Sequence, residues 1–175
     1  ALAICGGELH LENARAEHME MLLRKLEEMG MHISEGDGGV RAKVTERLKS
    51  ADVSTLPYPG LATDYKPFLV AALSVASGAG MVTENIFAGR FRYVDELVRM
   101  GAEIKAEGRH AVVRGVERLS GAPVRAHDIR AGAALVIAGL GADGETIISD
   151  AHHVDRGYED LAGKLSSVGA QVSRT

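Results

Sequence analysis

A pattern that occurs three times along this chain constrains its fold more than any other feature. The three copies read LEEMGMHI at 26–33, LVRMGAEI at 97–104 and LSSVGAQV at 165–172. Each places apolar residues at helical spacing before a glycine, a residue suited to a left-handed helix C-cap. The residues after the glycine alternate in polarity, which indicates a half-buried strand. The pattern predicts amphipathic helices that end at Gly30, Gly101 and Gly169 and lead into strands.

A second pattern precedes the first and occurs twice. Asp64 begins the small-residue segment KPFLVAALSVASG, and Asp128 begins IRAGAALVIAGLG. The spacing from Asp64 to Gly80 equals that from Asp128 to Gly144, and a strand-like run follows each glycine. Helices without charged residues over several turns are apolar all round and belong in a protein interior. We therefore expect two buried helices, each wrapped by sheets and amphipathic helices.

The same offset continues beyond the buried helices, because it aligns Arg92 with Arg156 and Leu97 with Leu161. The opening ALAICGGELHLENA is similar to the end of a third small-residue helix with its glycine turn and strand. We predict one α/β domain over 1–175 with pseudo-threefold βαβαββ-like repeats and buried parallel helices. The approximate repeats are 1–58, truncated within its first helix, then 59–126 and 127–175.

The aspartates at the helix starts have two interpretations. A carboxylate there can cap free amides and meet the positive end of the helix dipole. If the buried helices run parallel, their N-termini also gather at one end of the domain and form an anion site, particularly beside arginines. Position alone does not distinguish a plain cap from a functional carboxylate at Asp64 or Asp128.

Composition excludes several classes of function. A formal net charge of −4 argues against a nucleic-acid partner, and no apolar run is long enough to cross a bilayer. The single cysteine, Cys5, excludes an internal disulfide framework and suits a reducing cytoplasm. His152 and His153 are adjacent, but no metal-binding motif surrounds them, so we expect neither a metal nor a cofactor.

Several segments carry a family resemblance. They are PYPGLATDYKPF at 57–68, TENIFAGRF at 83–91, AHDIRAGAALVIAGL from Ala126 and HHVDRGYEDL from His152. Together they resemble the C-terminal portion of the UDP-N-acetylglucosamine 1-carboxyvinyltransferases of cell-wall peptidoglycan synthesis. The resemblance implies a two-domain enzyme of the inside-out α/β barrel type, built from six repeats, with substrates in the cleft between its domains. It also implies transfer of the enolpyruvyl group of phosphoenolpyruvate to the 3-hydroxyl of UDP-N-acetylglucosamine through a tetrahedral adduct, with release of phosphate.

The resemblance also implies roles for individual residues. Asp64 matches the aspartate that contacts the sugar hydroxyl and is proposed to remove its proton, as a positioned general base can. Arg130 and Arg156 match the arginines that hold phosphoenolpyruvate, whose carboxylate and phosphate suit the planar guanidinium fork. Ile86 matches a position that contacts the nucleotide sugar through its main chain.

Three further positions, Asp128, His153 and Arg90, match other polar residues of the cleft. Lys66 departs from the family, because a glutamine is often found there. A lysine–asparagine pair and a mobile loop with a reactive cysteine belong to the N-terminal domain that this chain lacks, and Cys5 is not that cysteine. The chain is therefore expected to need that domain as a partner and to be inactive alone. Two alternatives stay open: another acceptor, such as 3-phosphoshikimate, and an isolated unit that binds the nucleotide sugar without catalysis.

Overall fold

The computed structural model describes residues 1–36, 38–87 and 89–174. Helices alternate with strands along the chain, and the strands of these residues form three sheets. The first part of the chain contains α1 (Leu2–Cys5), β1 (Gly7–Glu12), α2 (Glu20–Glu28), β2 (His32–Gly36) and β3 (Gly39–Val44). Its three strands form the first sheet. β1 and β2 both pair antiparallel with β3, the central strand. Val40, Ala42 and Val44 of β3 are buried while their neighbours are not, so one face of β3 packs on the core.

The middle of the chain forms a four-stranded mixed sheet. Its elements are β4 (Val53–Ser54), α3 (Lys66–Leu73), β5 (Ala79–Thr83), α4 (Tyr93–Arg99), β6 (Glu103–Glu107) and β7 (His110–Arg114). The strand order is β4-β5-β7-β6, with β4 parallel to β5 and the other neighbours antiparallel. Parallel strands need a crossover connection, and α3, preceded by a 3₁₀ turn at Thr63–Tyr65, provides it.

The last part of the chain repeats this arrangement in a shorter form. It contains β8 (Pro123–Arg125), α5 (Ile129–Leu140), β9 (Ile147–Ser149), α6 (His152–Asp155) and α7 (Leu161–Ser167). β8 and β9 are parallel and α5 connects them, as α3 connects β4 and β5. Within the described residues β9 has no antiparallel neighbour corresponding to β7. None of the helices in these residues is long and apolar enough to span a bilayer.

The helix-ending glycines predicted from the sequence are confirmed. Gly30, Gly101 and Gly169 have φ angles of 106°, 91° and 94°, in the left-handed region where a side chain would be strained. The residue after each glycine donates its N–H to a carbonyl in the last turn, as in a Schellman motif: Met31 to Leu26, Ala102 to Leu97 and Ala170 to Leu165, at 2.9, 3.0 and 3.1 Å. The same backbone device therefore ends α2, α4 and α7.

The strand predicted after the third glycine is wrong for the described residues. Residues 170–174 form no strand, whereas β2 and β6 follow Gly30 and Gly101. A strand requires a partner for its backbone groups, and β2 and β6 each pair with the next strand of a hairpin. No such hairpin follows α7 within the described residues, so residues 170–174 have no neighbouring strand to pair with.

The constant offset between the second and third repeats is also wrong. One isolated parallel bridge joins Lys49 to Ser77, and a corresponding one joins Ser120 to Asp143. The two bridges therefore align Ser77 of one repeat with Asp143 of the next. The helix ends align Leu97 with Leu165, not with Leu161. The offset has already changed at Ser77 and Asp143, before α6; beyond β9, the connection to α7 spans 150–160 and contains α6, whereas that from β5 to α4 spans 84–92.

The small-residue helices lie in the interior, as their sequences predict. Every residue of α3 except Phe68 is buried, and α3 packs along α5. Leu73, the last residue of α3, and Leu135, near the middle of α5, are fully buried. Burial of each contributes about 1.5–3 kcal/mol. Small residues permit the close contact: a Cβ on Gly132 of α5 would come within 2.7 Å of a Val154 methyl group in α6. The packing brings the first turns of α3 and α5 together.

Candidate active site

A cavity of ≈ 340 Å³ opens where the first turns of α3 and α5 meet the start of α4. Its wall comes from three distant segments: Thr63, Asp64, Lys66 and Pro67; Gly89, Arg90, Arg92 and Tyr93; and His127, Asp128 and Arg130. Four of the residues predicted from the sequence, Asp64, Arg90, Asp128 and Arg130, therefore line one cavity. This cluster is the candidate site.

Asp64 does not cap a helix. It lies in the 3₁₀ turn before α3, and neither that turn nor α3 has a side-chain cap. Its carboxylate faces two guanidinium groups, with Oδ2 3.1 Å from Nε of Arg130 and Oδ1 3.6 Å from Nη1 of Arg90. The Asp64 side chain is about half exposed, so both its oxygens and its ion pairs are accessible to a ligand. The capping interpretation of Asp64 is wrong.

Asp128, by contrast, is a helix cap. It is the N-cap of α5, with extended backbone, and its Oδ1 accepts a hydrogen bond from the N–H of Ala131 at 2.8 Å. Such a bond satisfies one of the free amides of the first helical turn. The two aspartates occupy similar positions in the sequence, but only Asp64 directs its carboxylate to the arginines.

Arg130 is held by two partners on opposite elements. Its Nε donates to Asp64, and its Nη1 donates to the hydroxyl oxygen of Tyr158 at 2.9 Å. Partial burial acts to lower the pKa of Arg130, but the hydrogen bonds and charges of Asp64 and Tyr158 outweigh it and raise that pKa. Arg130 therefore stays cationic, and its orientation is fixed before any ligand arrives. The planar guanidinium of Arg130 suits an anionic ligand.

A buried ion pair lies under the cavity wall. Lys66 and Glu84 are both fully buried, with Nζ 2.8 Å from Oε2. Burial alone would raise the pKa of Glu84, but hydrogen bonds from Lys66, Thr63, Thr55 and the N–H of Ile86 lower it to about 2. Burial lowers the pKa of Lys66, and Glu84 opposes that change. The pair is ionised at neutral pH because each charge compensates the other.

Several of these groups were not predicted from the sequence. Lys66 appeared only as a departure from the family and Arg92 only in the repeat alignment, yet both line the cavity. Glu84 carried a signal, since a charged residue directly after a largely apolar strand needs a partner if it is buried. The Tyr93 hydroxyl is buried and has no hydrogen-bond partner within the described residues. Burial, with the charges of Glu84 and Asp128, raises the pKa of Tyr93.

Three predicted residues do not line the cavity. Ile86 donates its N–H to Oε1 of Glu84 at 2.8 Å, so that N–H is not available to a ligand. His153 packs its ring against His152, with centroids 4.2 Å apart. Arg156 follows α6 and is exposed. The roles expected of these residues stay predictions.

A second cavity, of ≈ 510 Å³, lies between α5, β9, α7 and the C-terminal segment. Its charged lining consists of Glu145, Asp155, Asp160 and Arg174, and Arg174 is paired with Asp155 at 2.7 Å. This lining is acidic, so it does not suit an anion. In the described part of the chain, no group of three or more His, Cys, Asp or Glu side chains is arranged to hold a metal ion.

A known protein family matches most of this chain. The sequence pattern of the family described as EPSP synthase (3-phosphoshikimate 1-carboxyvinyltransferase) matches residues 1–165. The chain belongs to the EPSP synthase family. Within this family it is 51% identical, over 175 residues, to a protein of Caldanaerobacter subterraneus named UDP-N-acetylglucosamine 1-carboxyvinyltransferase 2. That match covers 99% of this chain and 42% of the relative.

Two solved structures share the fold. The enolpyruvyl transferase NikO from Streptomyces tendae superimposes with a TM-score of 0.80 at 29% identity, over 87% of this chain and 36% of NikO. EPSP synthase from Acinetobacter baumannii superimposes with a TM-score of 0.75 at 21% identity, over 99% of this chain and 41% of that protein. The chain thus spans less than half the length of these relatives.

Proposed function

We propose that this chain is the C-terminal-domain portion of a UDP-N-acetylglucosamine 1-carboxyvinyltransferase of peptidoglycan precursor synthesis. In that enzyme the enolpyruvyl group of phosphoenolpyruvate passes to the 3-hydroxyl of UDP-N-acetylglucosamine, and phosphate is released. The observation that carries the proposal is the position of the Asp64 carboxylate against the guanidinium groups of Arg90 and Arg130. The name of the Caldanaerobacter relative supports the choice of acceptor.

The reaction assigns Asp64 the removal of a proton from the sugar hydroxyl. The hydroxyl oxygen then bonds to C2 of phosphoenolpyruvate while C3 gains a proton, which gives a tetrahedral adduct. Phosphate leaves with cleavage of its bond to C2, and loss of a proton from C3 restores the double bond. An exposed carboxylate beside a fixed guanidinium suits the first step, since the base and the anion-binding group adjoin.

The arginines bind the anionic donor in this proposal. Arg130 and Arg156 hold phosphoenolpyruvate and stabilise charge on the departing phosphate, and Arg90 assists from the other side of Asp64. The Ile86 main chain contacts the nucleotide sugar, and Asp128 and His153 are further cleft residues. Because Arg156 and His153 lie outside the cavity, their participation requires that the ligand or the second domain extend the site towards α6.

The architecture proposed with this function is one domain of an inside-out α/β barrel. We assign repeats at about 1–58, 59–126 and 127–175, around buried parallel helices. The shared Schellman caps and the matching β4-α3-β5 and β8-α5-β9 units support it. The cavity then forms one wall of a cleft, and the N-terminal domain of the same enzyme forms the other. The cytoplasmic location expected from the single cysteine stays a prediction.

The test is to complete the enzyme. This chain replaces the matched part of the Caldanaerobacter relative, and phosphate release is followed with phosphoenolpyruvate and UDP-N-acetylglucosamine. We expect turnover by the fusion and none by the 175-residue chain. We expect Asp64→Ala to abolish turnover without unfolding the fusion; near-normal rates in that variant would contradict the role of Asp64 as the base.

Two alternatives are separated by the same assay. Turnover by the fusion with shikimate 3-phosphate, and not with UDP-N-acetylglucosamine, would show that its acceptor is the 3-phosphoshikimate of the family description. Binding of UDP-N-acetylglucosamine by the 175-residue chain, without turnover in any completed enzyme, would leave a nucleotide-sugar-binding unit. No specific observation in the cavity favours either alternative over the main proposal.

A further inference from the structure

The buried pair of Lys66 and Glu84 has no role in the proposed reaction, yet it contacts both sides of the cavity. Removal of two charges from water is unfavourable, and an ion pair is often no more stable than apolar side chains of the same size. Lys66 also lines the cavity itself. A pair in this position is therefore not explained by packing alone, and its other contacts indicate what it does.

Glu84 fixes the turn that carries Asp64. Its Oε2 accepts a hydrogen bond from the Thr63 hydroxyl at 2.6 Å, and Thr63 directly precedes Asp64. Its Oε1 accepts from the Thr55 hydroxyl at 2.7 Å, in the segment between β4 and that turn. The carboxylate thus holds the approach to α3 at two points.

The same carboxylate fixes the segment on the other side of the cavity. Its Oε1 accepts hydrogen bonds from the main-chain N–H groups of Ile86, at 2.8 Å, and Phe87, at 3.1 Å. Phe87 in turn lies under the guanidinium of Arg90, 4.8 Å from its ring centroid. Glu84 therefore connects the main chain of this segment to the Asp64 turn.

Lys66 completes the link. Its Nζ donates to the main-chain carbonyl oxygen of Arg90 at 2.8 Å and lies 4.1 Å from the ring centroid of Phe91. The Arg90 side chain then faces Asp64. One ammonium and one carboxylate consequently hold the backbone on both sides of the Asp64–Arg90 contact.

We propose that Lys66 and Glu84 are positioning residues of the cavity: together they set the orientation of Asp64 and Arg90 relative to a bound anion. Neither touches the reacting atoms. The identity of the anion as phosphoenolpyruvate rests on the proposed function, but the link between the pair and the cavity does not. Removal of the pair should therefore impair catalysis more than the accompanying loss of stability explains.

The test compares Lys66→Met with Lys66→Gln and with Val113→Ala. Methionine removes both the charge and the donor, whereas glutamine retains a shorter N–H donor. Val113 is fully buried in β7 and does not line the cavity, so it controls for destabilisation. In the completed enzyme we expect Lys66→Met to lower kcat at least tenfold, Lys66→Gln to recover part of that loss, and Val113→Ala to leave kcat within twofold. Equal effects of Lys66→Met and Val113→Ala, after correction for the folded fraction, would overturn the proposal.

A second measurement uses the 175-residue chain and does not depend on the reaction. We expect Lys66→Met, but not Val113→Ala, to shift the NMR signals of the Asp64 carboxyl carbon and the Arg90 Nε–Hε group. We also expect it to weaken binding of inorganic phosphate at least fivefold. If the unmodified completed enzyme shows no turnover, the proposed function fails and this measurement decides the inference alone. Unchanged Asp64 and Arg90 signals in Lys66→Met would overturn it.

Discussion

The free energy of unfolding should fall steeply as Glu84 becomes protonated. The pKa of Glu84 is about 2 in the folded chain, against an ordinary value of 4.5, so the folded state binds this proton more weakly than the unfolded state. The stabilisation is therefore complete above pH 4.5 and is lost as the pH falls towards 2. The difference between the two pKa values corresponds to about 3 kcal/mol at 25 °C. That is a large share of the roughly 5–15 kcal/mol that stabilises a domain.

Replacement of Lys66 by methionine tests the origin of this stabilisation. It leaves a buried carboxylate without its cation, a change that costs about 3–5 kcal/mol. Four donors to Glu84 remain, from Thr55, Thr63, Ile86 and Phe87, so we expect the lower end of that range. With a urea m-value of about 2 kcal/mol/M, the unfolding midpoint at pH 7 should fall by roughly 1.5 M.

The assay is urea unfolding followed by circular dichroism at pH 7, 5, 4 and 3. Lys105→Met is the matched control, because Lys105 is an exposed lysine on β6. The control should unfold like the unmodified chain at every pH, whereas Lys66→Met should be less stable at pH 7 and lose less on acidification. If Lys66→Met stays within about 1 kcal/mol of the unmodified chain and keeps the same pH dependence, Lys66 does not hold Glu84 ionised.

Three substitutions test the supporting structure. Asp128→Ala should cost about 1 kcal/mol and speed hydrogen exchange of the Ala131 amide, since it removes the α5 cap; unchanged exchange would contradict that cap. Gly132→Ala should lower the free energy of unfolding in urea by about 1–3 kcal/mol, because its Cβ would lie 2.7 and 2.8 Å from neighbouring carbons; a more stable variant would show that α6 can move away. Arg47→Met should cost about 2 kcal/mol in thermal unfolding, since Arg47 donates to three main-chain carbonyls at 2.6–3.1 Å, and it should leave phosphate binding unchanged.

The sequence predicted those parts of the fold that depend on local pattern. The glycines that end α2, α4 and α7 were recognisable because only a left-handed residue fits that backbone position. The small-residue composition of α3 and α5 likewise indicated burial. The missing strand after Gly169 was not predictable from its own residues, because a strand forms only where a second chain segment offers its backbone groups.

The sequence predicted four residues that line the candidate site, Asp64, Arg90, Asp128 and Arg130, but not the contacts between them. Asp64 and Asp128 look alike in sequence, and only the 3₁₀ turn before α3 turns Asp64 away from its own helix and towards Arg130. The pairing of Lys66 with Glu84 joins residues on different elements, which local pattern cannot reveal. A lysine at the start of an otherwise apolar helix is nevertheless a usable signal, because a buried charge needs a partner.

The three-segment wall of the cavity has a thermodynamic consequence. Residues near 64, 90 and 128 meet only when the whole chain is folded, so an anion that bridges them binds the native state and not the unfolded chain. Binding then raises the free energy of unfolding by an amount set by the ratio of ligand concentration to dissociation constant. A ligand present at 100 times its dissociation constant would add about 2.7 kcal/mol. Candidate ligands can therefore be ranked by melting temperature, with neither a partner domain nor any turnover.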